Sequence, residues 1–173
     1  MLIVFSGLPG VGKTTLAREV ARRIGAQHLR IDTIEQALRP SLGSAPMDDT
    51  GYRVAHGVAE DNLRLHRTVI ADCVNPWPLT RDAWVSVAQR TGVPAVEIEV
   101  ICSDAALHRQ RVEDRASQAA PGEWPTWQQV LEHDYRPWTR DRVVVDTGAS
   151  TFQECVDAIR AAVSRARVPH CDV

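Results

Sequence analysis

Apolar residues along the chain fall into short runs separated by longer stretches where they recur every third or fourth position. The first run, Leu2-Ile3-Val4-Phe5, is continuous and stops at Ser6-Gly7, the pattern of a strand buried on both faces. Leu16, Val20 and Ile24 then recur at four-residue spacing and predict one amphipathic helix, closed by Gly25. Residues 28–31 read as a second strand, with Asp32 at its carboxyl end and a short helix over 33–38 before Pro40. The stretch 41–51, with its Gly, Ser, Pro and Asp, reads as a loop, and a helix follows over about 52–66. Residues 68–71 form the third strand, running into Asp72. Pro76 and Pro78 break the chain before a helix over 80–91, within which Trp84 reads as core.

Residues 94–101 predict a fourth strand, where Glu97 and Glu99 alternate with apolar residues and suggest a wetter face or an edge position. Ser103 or Asp104 can cap a helix that runs to about Arg115. Residues 116–125, rich in small side chains and containing Pro121-Gly122, read as a mobile connection, with a helix after it over 126–135. A last strand is expected over 142–145, and Thr151 with Glu154 makes a capping box for a final helix. Five strands alternating with helices imply an α/β fold, a parallel sheet covered on both faces. The length, 173 residues, suits a single domain.

Composition narrows the function classes. Hydrophobic residues at 44 % and charged residues at 24 % are the mix of a globular chain, which argues against whole-chain disorder. A formal charge of -2 gives no global positive field to draw the protein onto nucleic acid or an anionic membrane, although a local basic cleft stays open. Cys73, Cys102, Cys155 and Cys171 form no CxxC pair, and the six histidines form no HExxH or zinc-spaced cluster. The apolar run 2–5 has no basic leader and is far too short for a membrane span, so a cytoplasmic protein is expected. The oligomeric state is not legible.

The chemistry concentrates at Gly7-Leu8-Pro9-Gly10-Val11-Gly12-Lys13-Thr14, which satisfies G-x-x-x-x-G-K-[ST] at every position. Glycines let the backbone curl so that successive N–H groups point at phosphate oxygens, and the following helix adds its positive end. In this motif the lysine reaches the β- and γ-phosphates and the Thr14 hydroxyl ligates Mg²⁺. The motif sits between an apolar strand and an amphipathic helix, the context its mechanism requires.

Two carboxylates extend the site. Asp72, ending the third strand, is placed to hold Mg²⁺ directly or through water, the alternative being a turn carboxylate. Asp32 is expected at the same carboxyl edge of the sheet, where open α/β folds bind ligands. It could take the proton of a substrate hydroxyl, or serve only as the N-cap of the next helix. Arg111 and Arg115 share a helical face beside the connection and suit a lid over about 111–127 that brings positive charge to a transferring phosphoryl group, with a solvated surface as the alternative. Arg109 lies four residues from Glu113 and reads as a surface ion pair. Trp124 and Trp127 are candidate substrate contacts.

Gly7 to Thr15, Asp32, Val69-Ile70-Ala71-Asp72, Asn75, Arg81 and Arg111 with Arg115 together resemble the small P-loop kinases catalogued as AAA-family ATPases. That family is similar to chloramphenicol phosphotransferase, zeta toxin, gluconate kinase and the kinase domain of bacterial polynucleotide kinase. The resemblance spans about residues 2–165 and implies a five-stranded parallel sheet in 2-3-1-4-5 order. It further implies ATP·Mg²⁺-dependent phosphorylation of a small molecule's hydroxyl, with Asp32 as base and Asp72 beside magnesium. Arg111 and Arg115 become the lid arginines, and Asn75 and Arg81 lie near the acceptor. One position departs: polynucleotide-kinase-like members often carry an arginine three residues after the strand-end Asp, where this chain has Glu35. Two alternatives remain: a nucleoside monophosphate kinase, with Arg39, Arg53 and Arg81 around the acceptor phosphate, and a nucleotide-binding regulator that hydrolyses ATP slowly.

Overall fold

The computed structural model describes residues 1–120 and 124–167. Five strands, β1 (Leu2–Ser6), β2 (Gln27–Arg30), β3 (Val69–Asp72), β4 (Ala95–Ile101) and β5 (Val143–Asp146), form one sheet in the order β2-β3-β1-β4-β5. Every pairing is parallel. The helices are α1 (Lys13–Ile24), α2 (Ile31–Leu42), α3 (Thr50–Arg64), α4 (Pro78–Thr91), α5 (Ala105–Gln118), α6 (Trp127–Leu131) and α7 (Phe152–Arg167).

The central strand β1 is buried along its whole length, and its two-residue alternation divides the core. Ile3 and Phe5 join Leu16 and Val20 of α1 and Val156, Ile159 and Val163 of α7 on one face. Leu2 and Val4 join Ala55, Ala59 and Leu63 of α3 and Trp84 and Val87 of α4 on the other. This explains the unbroken apolar run: both faces of the strand meet helices. The loops at the carboxyl ends of β1, β2 and β3 consequently share one edge, with Phe5 and Arg30 both in register with Asp72.

Several expectations change. Helix α2 starts at Ile31 and continues through Pro40 to Leu42, so the loop before α3 is shorter than the 41–51 stretch suggested. Pro40 lies in the exposed last turns, where the carbonyl it leaves unbonded can turn to water. Strand β4 is not an edge, since it lies between β1 and β5. Its acidic face is covered instead, Glu97 by Arg140 at 2.6 Å and Glu99 by Arg142 at 2.7 Å. Helix α5 runs on to Gln118, through the first part of the expected connection, and α6 is confined to Trp127–Leu131. Pro121, Gly122, His170 and Cys171 lie outside the described residues. The capping box before α7 forms as expected, with the Thr151 hydroxyl 2.7 Å from Glu154.

Candidate active site

Loop 7–12 leaves β1 and turns into α1, with Gly12 as the helix N-cap. At Gly7 the backbone adopts φ 141°, and any Cβ would run into the Val100 carbonyl of β4. At Gly10, φ 85°, a Cβ would run into the Val112 side chain of α5. Both positions demand glycine. The second contact means that α5 rests directly on the loop.

Two side chains fasten that arrangement. The His108 ring of α5 meets the Pro9 carbonyl through Nε2 at 2.8 Å. The Thr147 hydroxyl, after β5, donates to the Val11 carbonyl at 2.8 Å. Lys13 is buried, and its Nζ donates to the Leu8 carbonyl at 2.9 Å. Burial pulls the Lys13 pKa down, against the raising influence of Asp72 and Asp32. Leu8 and Thr14 are partly buried, while Thr15 faces outward from the first turn of α1.

Asp72 is 2 % exposed and accepts a hydrogen bond at Oδ2 from His28 Nε2, 3.2 Å away. Burial pushes its carboxyl up, but His28, Lys13 and the Thr14 hydroxyl outweigh this and hold it below the usual range. An ionised carboxylate next to a threonine hydroxyl, at the rim of a phosphate-binding loop, is the donor set that Mg²⁺ takes when phosphates and waters complete its octahedron. Among the described residues no trio of His, Cys, Asp or Glu side chains is gathered for a metal. Asp72→Asn is therefore expected to raise the Mg²⁺ concentration needed for half-maximal ATP turnover. A Mg²⁺ titration unchanged from wild type would make Asp72 a purely structural residue.

Asp32 does not end β2. The strand stops at Arg30, which occupies the helix N-cap position, and Asp32 is the second residue of α2. The N-cap reading thus fails. Asp32 is held by Arg30, whose Nη2 donates to Oδ2 at 2.5 Å, and its side chain stays 43 % exposed. Glu35, one turn on, is half-buried, and burial together with Asp32 raises its pKa.

Arg111 and Arg115 diverge despite sharing a helical face. Arg111 donates to the Thr147 hydroxyl at 2.8 Å, away from Asp32. Arg115 lies over the Trp124 ring at 4.2 Å and in the electrostatic surroundings of Arg30, Asp32, Arg18 and Asp72. Arg109 pairs with Glu113 at 2.7 Å on the surface, as expected. Trp127 packs edge-on against His108, with ring centroids 5.0 Å apart.

The residues expected near an acceptor separate in the same way. Arg53 is exposed on α3. Asn75 is fully buried at φ 52° and donates through Nδ2 to the Ser6 hydroxyl at 3.0 Å, tying the ends of β1 and β3. Arg81 is 2 % exposed, and its guanidinium donates to four main-chain carbonyls, those of Asn75, Pro76, Arg136 and Pro137. It lies 4.1 Å from the Trp138 ring and 5.1 Å from that of Tyr135. With those bonds made, Arg81 is a scaffold residue, not a ligand for an acceptor.

Sequence reading missed His28, Arg30, Thr147 and His133. The first two were legible in part, because β2 alternation puts residues 28 and 30 on one face, in register with Ile70 and Asp72. Burial and the Lys13 charge lower the His133 pKa.

Among the described residues no helix is long and apolar enough to cross a membrane. The family model for an AAA domain matches residues 2–133. No curated protein matches the sequence significantly. Among solved structures, a presumed kinase from Chloroflexus aurantiacus is similar at TM-score 0.74 and 19 % identity, over 95 % of this chain and 96 % of that one. The APS kinase of Mycobacterium tuberculosis, in complex with AMPPNP and APS, is similar at TM-score 0.67 and 20 % identity, over 92 % of this chain and 96 % of that one. Chaetomium thermophilum Kti12, in complex with ADP-AlF3, is similar at TM-score 0.67 and 21 % identity, over 94 % of this chain and 99 % of that one. The glycine loop, its lysine and the strand order thus stand in a shared nucleotide-binding fold, and the chain belongs to the AAA-domain family of P-loop proteins.

Proposed function

We propose that the protein is an ATP-dependent kinase that transfers the γ-phosphoryl group to a hydroxyl of a small molecule. The observation that carries this reading is Asp32. Its carboxylate is half-exposed at the sheet edge, is held through one oxygen by Arg30, and lies close enough to Lys13 to influence that buried ammonium. Among the described residues its Oδ1 has no partner. A hydrolytic switch has no need of a tethered base facing an acceptor space, whereas phosphoryl transfer to a hydroxyl does.

In this reading the hydroxyl oxygen attacks the γ-phosphorus as the bond to the β-phosphate oxygen breaks, and Asp32 takes the hydroxyl proton. Lys13 and the loop N–H groups hold the phosphate oxygens, and Arg115 meets charge that develops on the transferred group. Mg²⁺, when held at Thr14 and Asp72, supplies charge neutralisation between the phosphates. The small-molecule acceptor is consistent with the kinases among the structural relatives and with the absence of a net positive charge.

The test is coupled ADP release across sugars, nucleosides, nucleotides, antibiotics and RNA. ADP release that rises at least tenfold with one acceptor class, with a phosphorylated product by mass spectrometry, is the expected result. Turnover that stays the same with and without every acceptor would instead favour the regulator that hydrolyses ATP slowly.

A further inference from the structure

Beside Asp32 lies a cavity of about 220 Å³ lined by Arg18, His28, Leu29, Arg30, Thr33 and Ile34. Its volume has room for a phosphate-sized polar group. Its walls come from three elements: α1 supplies Arg18, β2 supplies His28 and Arg30, and the first turn of α2 supplies Thr33 and Ile34. Arg18 is exposed and has no ion-pair partner among the described residues. Arg30 uses Nη2 on Asp32, while its buried Nε has no partner among the described residues. Arg30, the N-cap residue of α2, makes no side-chain cap bond, and the first turn of that helix supplies Thr33 and Ile34 to the wall.

Lys13 and Arg115 both lie in the electrostatic surroundings of Asp32 and Asp72, and Glu35 adds a third carboxylate beside Asp32. Under the proposed function Lys13 and Arg115 serve the ATP phosphates and Asp72 serves the metal. Arg30 is then matched by Asp32, while Arg18 stands at the cavity mouth as an exposed guanidinium that a second anion would pair.

We infer that this cavity is a second anion site, where Arg18 and Arg30 bind a phosphate, sulfate or carboxylate group that the acceptor itself carries. The substrate class is therefore an anionic hydroxyl compound. Arg30 links the two parts of the site: it holds the base through Nη2 and lines the anion cavity. An acceptor anchored there brings its hydroxyl to Asp32 without any arginine at position 35. The substrate class rests on the kinase reading; the anion site does not.

The test separates the two. Isothermal titration of inorganic phosphate into protein saturated with Mg²⁺ and AMPPNP keeps the P-loop filled, so that any further phosphate must bind elsewhere. One saturable site per chain is expected, at least tenfold weaker in Arg18→Ala and lost in Arg18→Glu. Parallel titrations of sulfate and acetate show which anion the site prefers. Matched thermal melts of the variants exclude loss of fold as the cause. No saturable phosphate binding in wild type, or equal binding in wild type and both variants, overturns the site. If phosphate binds as expected but no acceptor stimulates ADP release, the site stands and the kinase reading fails. Efficient transfer to a neutral acceptor with no phosphate binding has the opposite meaning and overturns the anion site alone.

Discussion

Lys13→Ala is expected to abolish measurable ATP turnover while the protein stays folded. The lysine is 8 % exposed, and its ammonium is the cation set within the curve of the glycine loop. Removing a preorganised positive group that faces transferring phosphates costs about a hundred- to a thousand-fold or more in rate. The fold should tolerate the change, because the loop has other fastenings: Gly7 N–H to the Val74 carbonyl at 3.1 Å, His108 to Pro9, and Thr147 to Val11. Burial already disfavours the ammonium, so its loss also removes a desolvation cost. ADP release and thermal melting together decide the matter. Near-wild-type turnover in a folded variant would remove the nucleotide cradle from residues 7–15.

Asp32→Asn should leave ATP affinity within a few-fold of wild type and lower acceptor-dependent transfer by roughly 10²–10⁴, the usual contribution of a positioned base. Asparagine keeps the size, and its amide oxygen can still accept from Arg30, but it takes no proton. Stability should change by less than about 1 kcal/mol, because the Arg30 pair involves a carboxylate that is 43 % exposed. Since Arg30, not Asp32, occupies the N-cap position, a lost cap cannot account for a fall in rate. The measurements are ATP binding, acceptor-dependent product formation and the thermal midpoint on one preparation. A fully active variant would leave the cradle standing and remove the mechanism.

The fold was largely legible because its strongest signals are local. The run 2–5, the glycine loop and the stripe of Leu16, Val20 and Ile24 each have one physical solution, and the structure adopts it. Where sequence reading strayed, the deciding partner was distant in the chain. Glu97 and Glu99 looked like marks of an edge, yet they are central and matched by arginines 43 positions later. Pro40 looked like a stop, but so near the exposed end of α2 it removes only a dispensable bond.

The site divided along the same line. The glycine loop is contiguous and its turn into α1 was legible, and Asp72 ends its strand as expected. Arg111 and Arg115 share a face by helical geometry, but geometry does not say which neighbour each meets: Thr147 claims the first, and the surroundings of Asp32 the second. Arg18 and Arg30 carry no motif. Only the packing of α1 against β2 brings them to one cavity.

Arg81 has a consequence for how the segment after α6 is held in place. The chain from Glu132 to Arg142 has neither helix nor strand, and its carbonyls at Arg136 and Pro137 are met by a side chain where a β-ladder would otherwise serve. Trp77 adds a second tie, its indole N–H donating to Asp134 at 3.0 Å. This segment is therefore held by Arg81 and Trp77, by the Arg136 N–H to the Pro76 carbonyl, and by the Arg140 and Arg142 pairs with Glu97 and Glu99 of β4. Arg81, with its guanidinium spent on those carbonyls, accordingly sets how this segment is hung and is not free to face a ligand.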